Sequence, residues 1–146
     1  MSKFNYKFKS VKNVKKNLEI KAQKDLSDVD LQIESVRMEI EKLNNEKQAI
    51  KAGFNINPKV KISEIQSRIY YENFIDGLVI SLNTKIAELE VIRAKRLEVL
   101  AQKSKEHKIF QTLEEKHLEA FIAIENKAEQ ILIDDVAGKR FIRSKN

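Results

Sequence analysis

The sequence predicts an all-α protein, a long antiparallel two-helix coiled-coil hairpin, and three observations lead to this prediction. Only three of the 146 residues are Gly and one is Pro, so few turns are available. Hydrophobic residues make up 42% and charged residues 34% of the chain, which is enough for an apolar stripe but little for a multilayer core. Apolar residues also recur at alternating spacings of three and four over most of the chain, as in a coiled-coil seam.

Helix 1 is expected from about residue 4 to about residue 51. Its seam consists of Leu26, Val29, Ile33, Val36, Ile40, Leu43, Lys47 and Ile50. Upstream, the stripe continues through Val11, Val14, Leu18 and Ala22. The extra four-residue step from Leu18 to Ala22 indicates a stutter that locally relaxes the supercoil.

One convincing turn follows at residues 53–58, where Gly53 and Pro58 lie close together. Helix 2 is then expected from about residue 59 to about residue 137, with a basic C-terminal tail at 138–146. Two helices joined by one short turn must run antiparallel, so both termini lie toward the same end. Residues 1–146 are therefore interpreted as a single coiled-coil domain.

The seam of helix 2 is interrupted at residues 72–77. It begins with Ile62, Ile65 and Ile69, resumes as Val79, Leu82, Ile86 and Leu89, and is followed to Ile131 through a polar stretch. Because helix 2 is longer than helix 1, part of it lacks a partner if it is unbent. The alternative is a bend near 72–77 that lets residues 59–76 fold back as a short tip helix. Periodicity leaves both arrangements open.

Three apolar residues near this interruption form a separate stripe. Tyr70, Phe74 and Leu78 recur at i, i+4 and i+8, on a face turned about 100° from the seam. They either pack against the turn, through Phe54 and Ile56, or form an exposed patch for a partner protein.

Positive charge is concentrated at both chain ends. Residues 1–24 carry eight lysines and one glutamate, a net +7, and residues 139–146 carry +4, so the span 25–138 carries −5 of the total +6. A basic amphipathic end of this kind suits a protein socket, an anionic membrane or a phosphate backbone. A solvated surface without function is the remaining interpretation. The candidate residues of this basic end are Lys3, Lys7, Lys9, Lys12, Lys139, Arg140 and Arg143.

Catalytic and metal sites are not expected. Gly138-Lys139 lacks the earlier glycine of a phosphate-binding loop, and the chain has no cysteine. His107 and His117 would lie about 15 Å apart along a helix, too far to share one metal ion. No catalytic, cofactor-binding or metal-binding residue is therefore predicted, and the protein is interpreted as a non-enzyme without cofactors. No stretch has the apolar length of a membrane span or signal peptide, so the cytosol is the expected compartment.

Four landmarks resemble, in order, the flagellar export protein FliJ family. These are Phe4 to Phe8 followed by Val11 and Val14, the segment Tyr71 to Leu78, the segment Glu106 to Lys116, and the ending from Glu129 through Asp134-Asp135 to Phe141. The resemblance covers almost the entire chain.

The resemblance implies a non-enzymatic stalk of the flagellar type III protein export apparatus. Members of this family are cytoplasmic, associate peripherally with the membrane at the flagellar base, and insert into the export ATPase hexamer. They also contact the cytoplasmic domain of the export gate and handle unloaded export chaperones. No small-molecule substrate is implied, and nucleic acid is not an expected partner.

Site residues carry over in the same way. The match to Phe-Ile-x-x-Leu places the gate contacts of the family on Phe74 and Leu78, with Tyr70 as the third residue of the stripe. By analogy with a rotary stalk, the basic end would enter the ATPase ring. Two alternatives stay open: the equivalent stalk of a virulence type III secretion system, and a basic coiled coil that binds nucleic acid or a membrane surface.

Overall fold

Two long helices form the protein. The structure, a computed structural model, describes residues 2–56, 59 and 61–145. Helix α1 spans Lys9–Ile56 and helix α2 spans Ile62–Lys145, and no strand occurs in the described residues. The helices pack against each other, which confirms the predicted all-α helical hairpin.

The chain divides into two compact units, each built from parts of both helices. We call Met1–Glu19 with Gln102–Asn146 the terminal unit, and Ile20–Ala101 the central unit. Whether the chain acts as the single domain expected from the sequence stays a prediction.

The central unit has an apolar seam. One cluster of buried side chains in it consists of Val29, Ile33, Val36 and Leu89, with Leu26, Ile40, Leu82 and Ile86 packed against them. All belong to the predicted heptad pattern, and each fully buried aliphatic side chain contributes on the order of 1.5–3 kcal/mol.

Ion pairs beside this seam show that the helices of the central unit run antiparallel. Arg93 Nε lies 2.6 Å from Asp30 Oδ1, and Arg37 Nη2 lies 3.6 Å from Glu90 Oε1. Later residues of α1 thus face earlier residues of α2. These pairs are half exposed, so they fix register more than they add stability.

The predicted helix ends differ from the structure. Helix α1 begins at Lys9 instead of residue 4 and continues through Gly53 to Ile56, while Asn57 and Pro58 of the predicted turn lie outside the described residues. A glycine costs a helix only about 1 kcal/mol relative to alanine, so Gly53 does not end it. Helix α2 begins at Ile62 and includes the predicted tail as far as Lys145.

Helix α2 is not interrupted near residues 72–77, so the residues before them do not form a separate tip helix. Helix α2 is continuous there, and nothing lies within 4 Å of where a Cβ on Gly77 would be. The seam passes instead through Ile65, Arg68, Glu72 and the fully buried Ile75. Ile62 and Ile69, assigned to the seam from their apolar character, are exposed.

The predicted stutter in α1 is also absent. Burial repeats without interruption through Lys12, Lys15, Glu19 and Ala22, whereas Val11, Val14 and Leu18 lie off the seam with exposed side chains. Polar residues can occupy these seam positions because each meets a partner of opposite charge, or a histidine, on α2.

Candidate partner-binding surfaces

The predicted stripe on α2 is an exposed surface of the central unit. Tyr70 is 76% exposed, Phe74 61% and Leu78 37%. The alternative packing partners, the side chains of Phe54 and Ile56, lie outside the described residues. Large apolar side chains exposed together are typical of partner-binding sites.

Tyr71 extends this surface. The i, i+4, i+8 pattern of the stripe did not include it. Its ring stacks on Phe74 with centroids 6.4 Å apart, and its hydroxyl donates to Glu46 Oε2 of α1 at 3.3 Å. The charge of Glu46 raises the pKa of the Tyr71 hydroxyl above its usual value. Tyr71 therefore links the exposed ring of Phe74 to the neighbouring helix. We call Tyr70, Tyr71, Phe74 and Leu78 the aromatic patch.

The backbone under the aromatic patch is anchored by the adjacent seam face of α2. Ile75 is only 1% exposed, and the next residue, Asp76, accepts a bond of 2.5 Å from Lys47 Nζ of α1. Residues flanking Phe74 are thus fixed in the seam while Phe74 itself projects from it.

The predicted basic end lies on the terminal unit, but its members differ in environment. Lys3, Lys7 and Lys9 are exposed. Lys12 instead occupies the seam and pairs with Glu114. Its charge is largely compensated within the unit, so it is a poor candidate for a partner contact.

The C-terminal members of the basic end lie on the last turns of α2. Lys139 forms an ion pair with Asp135 at 3.3 Å, and Arg140 borders a shallow apolar hollow with Leu132 and Val136. Arg143 lies in the final turn, where a positive side chain interacts favourably with the helix dipole. Residues 126–145 are exposed throughout.

The N-terminal segment before α1 is packed along α2 within the terminal unit. Residues 2–6 have no regular structure, and Tyr6 is only 5% exposed. The Tyr6 hydroxyl donates to the carbonyl of Phe110 at 2.9 Å, while Phe4 contacts Phe121 with centroids 5.5 Å apart. Burial, more than the nearby Glu114, raises the pKa of Tyr6. These contacts hold the segment on α2. The sequence had predicted that these residues begin an amphipathic helix, and this prediction was wrong for residues 4–6.

This anchoring determines where the first lysines point. Phe4, Tyr6 and Phe8 alternate along the segment, and the rings of Tyr6 and Phe8 both contact the His117 ring. Lys3 and Lys7, which alternate with these aromatic residues in the sequence, are left exposed. The Phe-x-Tyr-x-Phe spacing was the signal that could have identified this segment.

The two histidines of the terminal unit each have contacts of their own. Nowhere in residues 2–56, 59 and 61–145 do three His, Asp or Glu side chains group as metal ligands. His107 pairs with Glu19, and His117 stacks on the aromatic rings of the N-terminal segment. Within the same described residues, neither helix offers an apolar stretch able to span a bilayer.

A family comparison decides what kind of protein carries these surfaces. The model of the flagellar FliJ protein family matches residues 4–146. The chain belongs to the FliJ family. No curated protein and no solved structure gives a significant match.

FliJ membership confirms the family resemblance seen in the four sequence landmarks. The protein is a flagellar, export-associated coiled-coil protein of a non-catalytic family. Membership also implies association with the flagellar export apparatus.

Proposed function

We propose that this FliJ-family protein is a mechanical stalk that links the flagellar export ATPase to the export gate. It would act in the cytoplasm, at the membrane face of the flagellar base, and would also escort export chaperones. The observation that carries the proposal is the exposed aromatic patch, which contains the Phe-Ile-x-x-Leu match to the gate-contacting residues of the family.

The aromatic patch suits a gate contact for a physical reason. Phe74 and Leu78 are one helical turn apart and exposed, so both can enter apolar pockets on one partner. Tyr70 supplies a further aromatic ring with a polar tip, a side-chain type enriched at interfaces.

The basic end suits the ATPase ring. Lys3, Lys7 and Lys9 are exposed beside the anchored N-terminal segment, and Lys139, Arg140 and Arg143 line the last turns of α2. A cluster of exposed positive charge speeds docking into an acidic ring interior.

Coupling without catalysis follows from differential binding. A protein that binds some ring conformations more tightly than others changes their populations, and this is the thermodynamic means available to a non-catalytic binder. The basic end and the aromatic patch belong to different compact units, so each can be altered without changing the other.

A binding assay tests the proposal. The purified chain is passed over the immobilised export ATPase and, separately, over the immobilised cytoplasmic domain of the gate. We expect saturable binding to both. Absence of binding to either partner would contradict the stalk function.

A further inference from the structure

Residues 2–8, which we call the N-terminal strap, lie along α2 within the terminal unit. From residue 2 to residue 6, every second residue meets a residue of α2, and successive partners are four residues apart on that helix. The pairs are Ser2 with Glu125, Phe4 with Phe121, and Tyr6 with His117. Two residues of an extended chain advance about 6.6 Å and four residues of a helix about 6 Å, so an extended strap keeps this register.

Aromatic side chains anchor the strap. Tyr6 is 5% exposed, and its hydroxyl donates to the carbonyl of Phe110 at 2.9 Å. The Phe8 ring contacts the Phe110 ring edge-on, with centroids 6.3 Å apart. Such ring pairs stabilise a structure beyond the area they bury. Because these contacts involve no charged group, dissolved salt does not screen them.

The lysines in and next to the strap have no ion-pair partners. Lys3, Lys7 and Lys9 are exposed, and none of them pairs with a carboxylate in the part of the chain that the structure describes. Lys12, by contrast, is paired with Glu114. The strap therefore carries free positive charges on a backbone that uncharged contacts hold in place.

Charges at fixed positions bind an acidic surface at a lower entropic cost than charges on a flexible tail. A disordered lysine tail loses backbone freedom when it binds, whereas the strap has already lost this freedom on folding. Lys7 is restrained further, since its Nζ lies 5.7 Å from the centre of the Phe8 ring. The arrangement favours a partner surface whose carboxylates oppose these positive charges.

We propose that the strap positions Lys3 and Lys7 for the acidic partner of the basic end, with Tyr6 as the positioning residue. This inference rests on the proposed binding of the basic end to the export ATPase. It adds that the placement of the charges, besides their number, determines the affinity. Tyr6 is buried, so it acts through the lysines and does not touch the partner.

Binding to the immobilised export ATPase at several salt concentrations separates placement from charge. Tyr6→Ser and Phe121→Ala release the strap and keep every lysine. We expect each of them to weaken binding about tenfold at every salt concentration. The double variant Lys3→Gln, Lys7→Gln keeps the strap and removes charge. It should flatten the salt dependence, because fewer charges are screened.

Two further variants serve as controls. Tyr6→Phe keeps the buried ring and loses only the hydroxyl, so it should weaken binding less than Tyr6→Ser. Val91→Ala truncates an exposed apolar residue of the central unit and should bind as the wild type does. Circular dichroism checks that every variant keeps its helix content.

A crosslink tests whether Tyr6→Ser loses affinity through the position of the strap. The chain has no cysteine, so Ser2→Cys and Glu125→Cys introduce a single pair at residues whose side chains are hydrogen-bonded. A short bifunctional thiol reagent then ties the strap to α2. In the Tyr6→Ser background we expect the crosslinked chain to recover most of the lost affinity, and the same chain without crosslinker to recover none.

Three results would overturn the inference. They are wild-type affinity in both strap-releasing variants, no recovery after crosslinking, or a salt dependence that Tyr6→Ser flattens as much as the lysine variant does. Tighter binding by Tyr6→Ser would show instead that the strap covers a binding surface on α2. Absence of wild-type binding at any salt concentration would contradict the stalk function and this inference with it, whereas wild-type binding with unaffected strap variants contradicts this inference alone.

Discussion

His107 and Glu19 face each other across the seam of the terminal unit, with Nδ1 of the histidine 3.0 Å from a carboxylate oxygen. Because a carboxylate only accepts, Nδ1 is the donor. The other ring nitrogen, Nε2, is buried without a hydrogen-bond partner. Leaving a buried polar atom unpaired costs about 1–3 kcal/mol, so this contact specifies the pairing of the helices at the expense of stability.

Replacing this pair by leucines should stabilise the terminal unit. We expect the double variant Glu19→Leu, His107→Leu to raise the free energy of unfolding by about 1 kcal/mol or more, because it removes the unpaired buried Nε2 and replaces the polar contact with apolar packing. Glu19→Leu alone should lower it, because His107 then loses its remaining partner. Denaturant unfolding followed by circular dichroism measures both. A double variant less stable than the wild type would show that the pair is net stabilising relative to its apolar replacement.

Acid should weaken the terminal unit through Glu106. Hydrogen bonds from Gln102 and then Lys15 hold the pKa of Glu106 below its ordinary value of 4.5. A lowered pKa in the folded state gives a stabilisation that is present above pH 4.5 and is lost as the pH falls through the lowered pKa. The melting temperature of Glu106→Gln should therefore depend less on pH than that of the wild type between about pH 5 and 3. Glu90→Gln, in the central unit, is the control. Parallel pH profiles for Glu106→Gln and the wild type would contradict this assignment.

Gly77→Ala should stabilise the chain. The helix is continuous at Gly77, its φ is not positive, and an added Cβ meets nothing within 4 Å. We expect a gain of about 1 kcal/mol from helix propensity alone, measured as a higher unfolding midpoint. Gly138→Ala is the comparison variant and should raise the unfolding midpoint less, because Gly138 lies near the C-terminal end of α2, where helices fray. A loss of stability in Gly77→Ala would indicate that the backbone bends there in solution.

Truncation of the aromatic patch should weaken gate binding without unfolding the protein. We expect Phe74→Ala and Leu78→Ala each to weaken binding to the gate domain about tenfold or more, because exposed apolar anchors carry interface energy. Tyr71→Phe should have a smaller effect than Tyr71→Ala, since only the bond to Glu46 is lost while the ring stacked on Phe74 is kept. Calorimetric titration gives the affinities, and Ile80→Ala, at an exposed residue outside the patch, is the control. Loss of helix content in Phe74→Ala would show instead that this side chain supports the fold.

Removing lysine charges at the basic end should affect binding at the exposed positions and stability at the seam position. Replacing Lys7 and Lys9 by Gln should weaken ATPase binding more at low salt than at high salt, because salt screens exposed charges. Lys12→Gln should instead lower stability, since it leaves Glu114 without the ion-pair partner seen in the structure. Binding at two salt concentrations and thermal unfolding are the two readouts. An equal loss of binding at both salt concentrations would exclude an electrostatic contribution of Lys7 and Lys9.

The fold followed from periodicity where the seam is apolar. Val29, Ile33 and Leu89 were assigned correctly because burial of aliphatic side chains determines the register there. In the terminal unit the same reasoning selected Val11, Val14 and Leu18, while the half-buried seam positions are Lys12, Lys15 and Glu19. The partners of these polar residues are Glu114, Glu106 and His107 on α2. The apolar periodicity of α1 alone does not reveal such pairing.

The candidate surfaces were predicted to a similar extent. The stripe of Tyr70, Phe74 and Leu78 could be found because three large apolar residues fell outside the repeat. The role of Tyr71 in this surface could not be predicted, since it depends on a hydrogen bond to Glu46 of the other helix.

The most direct test of the stalk function is a three-component binding measurement. The purified chain is saturated with the export ATPase and then titrated with the cytoplasmic domain of the gate. We predict that both partners bind together, that Phe74→Ala weakens binding to the gate alone, and that replacing Lys7 and Lys9 by Gln weakens binding to the ATPase alone. Displacement of one partner by the other, or loss of both with either variant, would contradict two independent partner surfaces on one stalk.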